Sequence, residues 1–354
     1  MKKIFLLILL LAAVIPASAR TQNYVVGFYN VENLFDVYDD PVKDDAEFLP
    51  EGRNKWTLPK YEKKLANIAR VINAMRDENG VYHTLLGVSE IENRLVLEDL
   101  VSLPELAGAN YQIVHYDSPD NRGVDVALLY RPDQFTYIDS ESIPFTFEDS
   151  KIEFTLDEEE QAAFRTRDIL MVHGQIDGED IAVYVAHLPS RVGGKGADLR
   201  PRGAEIIYNH VQQLKREHPG IKVVVMGDMN DNPTDESMVT WMHSKAEIGD
   251  MGPEDFYSPF IDMLADGYGS LAYRGVWNIY DNILVDYNLA TAPEGGLKIC
   301  MTNKKHGYYG RVFKKPFMTQ QSGQYKGTPF RTFSNGAFIG GFSDHYPTYI
   351  VIGK

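Results

Sequence analysis

Eight short apolar runs set the limits on how this chain folds. They are Tyr24-Val25-Val26-Gly27-Phe28-Tyr29, Thr84-Leu85-Leu86-Gly87-Val88, Val124-Asp125-Val126-Ala127-Leu128-Leu129-Tyr130, Ile169-Leu170-Met171-Val172, Ile181-Ala182-Val183-Tyr184-Val185, Ile221-Lys222-Val223-Val224-Val225-Met226, Asn282-Ile283-Leu284-Val285 and Tyr349-Ile350-Val351-Ile352. Most are continuous rather than alternating, as expected of strands covered on both faces. Helical patterns lie between some of them. Residues 61–75 place Leu65, Ile68, Ala69, Ile72 and Met75 at helical spacing, with Thr57 as cap and Pro59 in the first turn. Residues 202–217 repeat the pattern with Ile206, Ile207, Val211 and Leu214. Several strand pairs have only short links. That mixture predicts an α/β fold of two packed mixed sheets with helices outside, rather than a doubly wound parallel sheet.

Polar residues stand repeatedly at the ends of these runs. Asn30 and Glu32 follow the first, and Glu90 and Glu92 the second. His187 follows Val183-Tyr184-Val185-Ala186, and Asp228 and Asn230 follow Val223-Val224-Val225-Met226-Gly227. Asp281 precedes Asn282-Ile283-Leu284-Val285, and Asp344-His345 precedes the last run. Each alone is ordinary turn or cap chemistry. Together they mix carboxylate, amide and imidazole at strand ends that one rim can gather.

Composition narrows the setting. Lys2 and Lys3, the apolar stretch of residues 5–15 and Ala17-Ser18-Ala19 read as an export signal over residues 1–19, cleaved after Ala19. No cysteine near that point supports a lipid anchor, and the expected location is secreted or periplasmic. No later segment is apolar enough for a stable membrane anchor. The formal charge of −15 becomes about −17 once Lys2 and Lys3 are removed, which argues against general adhesion to nucleic acid or anionic membrane. Cys300 is the only cysteine, so intramolecular disulfides and multi-cysteine metal sites are excluded.

The motifs, in order, resemble those of the endonuclease/exonuclease/phosphatase superfamily, from Phe28-Tyr29-Asn30-Val31 to Ser343-Asp344-His345-Tyr346-Pro347. Gly227-Asp228-Met229-Asn230 and Ser343-Asp344-His345 are the most specific signatures. Gly87-Val88-Ser89-Glu90 is similar to the metal-binding Glu motif, and Val185-Ala186-His187-Leu188 to the phosphate-contacting strand end. Phe28 through Asp36, with Arg122-Gly123-Val124-Asp125-Val126-Ala127, resembles a branch of secreted bacterial members. The resemblance implies a four-layer α/β/β/α sandwich, DNase I-like, as one domain over residues 21–354.

It also implies a divalent-metal-dependent phosphoester hydrolase, with a nuclease acting on DNA or RNA as the first expectation. The alternatives are a phosphatase or phosphodiesterase on inositol phosphates, lipid headgroups or other small phosphoesters, and an idle binding module of the same fold. Mg²⁺ or Mn²⁺, or else Ca²⁺, would be held by Glu90, with Asn30 offering an amide oxygen and Asp344 supporting the region. His345 is expected as general base with Asp281 on its other nitrogen. Asp228 and Asn230 would orient water, and His187 and Asn230 would donate to phosphate. The residues leave open whether Asp228 or His345 takes the proton. Arg122 and Arg191 are candidate phosphate-binding groups. No obligate protein partner is implied.

Two stretches stand apart. Residues 148–160 are acidic and read as a solvated loop. Residues 298–342 contain no Asp or Glu, and carry Lys and Arg interleaved with aromatics. That pattern fits either a nucleic-acid track or a long loop packed on the second sheet. For lipid docking only Phe256, Tyr257 and Phe260 are candidates.

Overall fold

The computed structural model describes residues 23–191 and 196–354. The expected export segment, residues 1–19, lies outside the described residues. All eight apolar runs are strands. The first sheet runs β14 (Lys298–Cys300), β18 (Thr348–Gly353), β1 (Asn23–Leu34), β2 (Leu85–Ile91), β4 (Asp125–Tyr130), β3 (Gln112–His115), with β15 (Gly310–Val312) also on β18. The second runs β5 (Thr136–Ile143), β6 (Ile169–Ile176), β7 (Glu179–His187), β8 (Lys222–Asp228), β13 (Asp281–Asp286), β10 (Phe256–Tyr257), β9 (Ser244–Lys245). Both are mixed: β1 and β2 are parallel, as are β7 and β8, while β18 on β1 and β13 on β8 are antiparallel. Two small hairpins stand apart, β11 (Leu271–Tyr273) with β12 (Val276–Asn278), and β16 (Phe333–Ser334) with β17 (Ala337–Phe338).

The continuous apolar runs follow from burial on both faces. On β7, Ile181, Val183 and Val185 enter the core between the sheets, while Ala182, Tyr184 and Ala186 enter a second core outside. On β8, Val224 and Met226 face inward and Val223 and Val225 outward. Gly87 lets the sheets approach: a Cβ there would sit 2.6 Å from Met226 Sδ.

Helices cover both outer faces. α1 (Leu58–Asn79) packs on the first sheet through β1, beside α2 (Arg94–Val101). Thr57 is its N-cap residue but makes no side-chain cap bond. The acidic stretch is not purely solvated. Asp157 forms a capping box with Glu160 at the start of α3 (Glu158–Ala163), and Phe147 packs against Phe145, Phe154 and Phe164. α4 (Leu199–Glu217) closes the second sheet with Ala204, Ile207, Val211 and Leu214. The result is the expected four-layer α/β/β/α sandwich. Phe256, Tyr257 and Phe260 are buried core residues, so they form no docking hairpin. Among the described residues, no helix is long and apolar enough to cross a membrane.

Candidate active site

Strand register assembles the site. The inward face of β7 continues from Val185 to His187, that of β8 from Met226 to Asp228, and that of β13 from Ile283 to Asp281. His187 pairs with Asp228, and Asp228 with Asp281, so the three form one row across neighbouring strands. Gly227 makes the close pairing possible, since a Cβ there would stand 2.1 Å from Ala186 O. In the first sheet Asn30 lies across from Ser89. The register then shifts at Glu90, which has φ +60°. Glu32, Asn33 and Asn230 are likewise at positive φ, near +50°. A left-handed glutamate is costly unless its surroundings hold it, and such strain gathers at functional sites. Asn33 N and Asn30 Nδ2 both donate to the Glu90 carboxylate, at 3.0 and 3.1 Å. Ser343 ties the last motif to β1: its hydroxyl donates to Asn30 O at 2.7 Å and accepts from His345 N at 3.0 Å.

His345 is surrounded by carboxylates. Its Nδ1 lies 2.7 Å from Asp281 Oδ2, and its Nε2 lies 3.8 Å from Asp228 Oδ2 and 3.9 Å from Asp344 Oδ1. Burial opposes the imidazolium, but Asp281 and Asp228 outweigh it and hold the pKa well above the ordinary histidine value. His187 is the opposite case. Burial, then the charges of Arg167 and Arg122, push its pKa well down, so it stays neutral. Burial raises the Asp228 carboxyl to about 6 against the pull of His345.

The expected residues converge, with differences of detail. Glu90, His187, Asp228, Asn230, Asp344 and His345 line one cleft of about 500 Å³, with Arg122 and Arg191. Asn30 and Asp281 sit directly behind it through the bonds above. Asn30 presents its amide nitrogen to Glu90 and to Asp228 Oδ2 at 2.9 Å, while its oxygen accepts from Glu32 N. It therefore bridges two acids, where an oxygen ligand was expected. Asn230 Nδ2 donates to Leu188 O at 2.9 Å. Arg191 is held by Asp231, Asp235 and Asn230 O, whereas half-exposed Arg122 lies 3.7 Å from Asp120. Asp344 accepts from Arg331 at 2.9 Å, and its buried Oδ1 has no hydrogen-bond partner among the described residues.

Two contributors, Arg331 and Lys64, were missed, and Arg167 was one of several candidate arginines. Arg167 is buried and grips the end of β7, donating to His187 O and Leu188 O at 3.0 and 2.8 Å. Arg331 bridges Asp344 and the buried Glu32 at the cleft edge. Lys64, buried on α1, donates to Thr332 Oγ1 and Phe342 O at 2.5 and 2.7 Å, and burial lowers its pKa to about 8. The only sequence signal for Arg331 was its place in the acid-free stretch. That stretch packs mainly on the first sheet and α1, where the sequence reading had the second sheet. Tyr308 and Phe313 are core, and Arg311 and Lys315 are paired with Glu78. Tyr325 is exposed. The stretch is thus no continuous stacking platform.

The donor set suits a hard divalent cation. Ligand atoms of Glu90, His187 and Asp228 lie within 4.8 Å of one another, and two of the three donors are carboxylates. Neighbouring carboxylates at a partly buried site repel one another, and a divalent cation would relieve that repulsion.

Comparison with known proteins agrees with this geometry. The model of the endonuclease/exonuclease/phosphatase family matches residues 25–354. No curated protein matches the chain. Among solved structures, TDP2 of D. rerio complexed with single-strand DNA product superposes at TM-score 0.52 and 12% identity, over 94% of this chain and 99% of that one. The human Nocturnin catalytic domain gives 0.52 and 15%, over 94% and 95%. A mannosyl-6-phosphatase of Bacteroides thetaiotaomicron gives 0.53 and 14%, over 93% and 99%. These likenesses show the fold. With the family model spanning nearly every described residue, the chain belongs to the endonuclease/exonuclease/phosphatase family of metal-dependent phosphoester hydrolases.

Proposed function

We propose that this hydrolase acts on phosphate esters of small polar molecules, using Mg²⁺ or Mn²⁺. The observation that carries the hydrolase reading is the rim itself, where Glu90, His187, Asp228 and His345 line one cleft and Asp281 backs His345. Glu90, with His187 beside it, would hold the ion. When bound, a divalent ion neutralises phosphate charge and acidifies water. Asp228 receives the proton of the attacking water. His345 is held as imidazolium by Asp281 and stabilises charge on the phosphate oxygens, and neutral His187 and Arg122 add donors there. The three carboxylates around one imidazole support Asp228 over His345 as the proton acceptor.

The preference for a small ester departs from the nuclease expectation. Its main support, the basic-aromatic stretch, is largely consumed by packing and by Glu78. The mannosyl-6-phosphatase neighbour favours the same direction. A nuclease acting on single-stranded ends is the second reading, favoured by the neighbour complexed with single-strand DNA product. The composition of residues 1–19 supports export. A side-by-side assay with Mg²⁺ on hexose phosphates, inositol phosphates, sphingomyelin, plasmid DNA and RNA tests the order. Faster turnover of a small phosphate ester is expected, and faster cleavage of a nucleic acid would reverse it.

A further inference from the structure

We infer that a second cavity beside the cleft receives an uncharged, hydroxyl-rich part of the substrate, a sugar or similar polyol, while the cleft holds its phosphate. This rests on the hydrolase reading above. The cavity measures about 350 Å³ and adjoins the cleft through Arg331 and Asp344, which line both. Arg53, Asn54, Gln320, Thr328 and Asn335 line its wall with side chains that can donate and accept hydrogen bonds. Vicinal hydroxyls, each both donor and acceptor, match such a wall.

Two observations argue against a nucleobase or a second phosphate there. A base needs an open aromatic face. The aromatics of this wall are packed on one another: Phe48 stacks on Phe35 at 4.1 Å and meets Phe333 edge-on at 6.3 Å. Tyr325, also in this wall, is the exposed exception. A second phosphate needs unspent positive charge. Arg53 pairs with Glu47 at 3.5 Å, and Arg331 with Glu32 and Asp344, so each guanidinium already faces carboxylate. An uncharged polyol meets no such conflict.

The test uses non-hydrolysable probes with Mg²⁺, so that binding is read apart from turnover. Calorimetry compares methylphosphonate, the phosphonate analogue of glucose 6-phosphate and that of thymidine 5′-monophosphate. The hexose analogue is expected to bind at least tenfold tighter than methylphosphonate. In the double variant Arg53→Ala with Gln320→Ala, folding confirmed by its melting temperature, that advantage should fall below threefold. Equal binding of hexose and methyl probes overturns the proposal, as does a larger gain for the thymidine probe or an advantage that survives in the variant. Turnover of p-nitrophenyl phosphate by the same wild-type protein reports on the hydrolase reading separately. A hexose advantage without any turnover would sink that reading and keep the cavity. Turnover without the advantage would do the reverse.

Discussion

At the scale of single residues, the site is a contest between burial and charge. His345 and His187 are both buried side chains of one rim, yet their environments drive them to opposite protonation states. The cause is local: His345 touches Asp281, while His187 sits beside Arg167 and Arg122. Asp281→Asn should therefore lower kcat by roughly 10²–10⁴-fold with the fold intact. If His345 works as imidazolium, losing Asp281 also lowers its pKa and moves the alkaline limb of the pH–rate profile to lower pH. A shift of the acidic limb instead would return His345 to the role of base. Most of this site was legible in the sequence, because Glu90, His187, Asp228, Asp281 and His345 each flank an apolar run. Arg331 and Lys64 were not. Arg331 is joined to Glu32 and Asp344 only by tertiary folding, and a lysine at a helix position reads as solvent-facing.

Elements contribute by fixing where those run ends meet. The parallel pair of β7 and β8 brings His187 level with Asp228, and antiparallel β13 brings Asp281 to the same rim. Sequence pattern found the eight runs but not the exposed β5 or the short β3, which lack continuous apolar content. α1 does more than cover the first sheet. Its Lys64 anchors the segment that carries Arg331, through Thr332 and Phe342. Lys64→Met would keep the packing volume but leave a buried carbonyl and hydroxyl without their donor. That should cost about 2–4 kcal/mol of stability. Urea unfolding checks it, and a loss under 0.5 kcal/mol, the ordinary scatter of surface changes, would show the anchor is not needed.

Over the whole molecule, two sheets share one core, and the site lies where their rims meet. The order of apolar runs disclosed that architecture, while the destination of residues 298–342 stayed hidden because packed and solvent-facing aromatics look alike in sequence. The same core carries a pH liability. His83 is fully buried, neither ring nitrogen has a hydrogen-bond partner among the described residues, and burial alone lowers its pKa to about 3. The unfolded chain binds a proton at this histidine below about 6.5 and the folded one does not, so stability falls as pH drops from 6.5 toward 3. Between pH 7.5 and 5.0 the wild type should lose roughly 2 kcal/mol more than His83→Leu, as read by urea unfolding. Equal losses would place the acid sensitivity elsewhere. The central claim, that this rim hydrolyses phosphoesters with a divalent ion, is tested most directly by release of p-nitrophenol from p-nitrophenyl phosphate and its bis ester. Turnover with Mg²⁺ or Mn²⁺ that vanishes in EDTA and returns on adding the ion is the predicted result. A folded protein that turns over neither ester, or does so unchanged in EDTA, would contradict it.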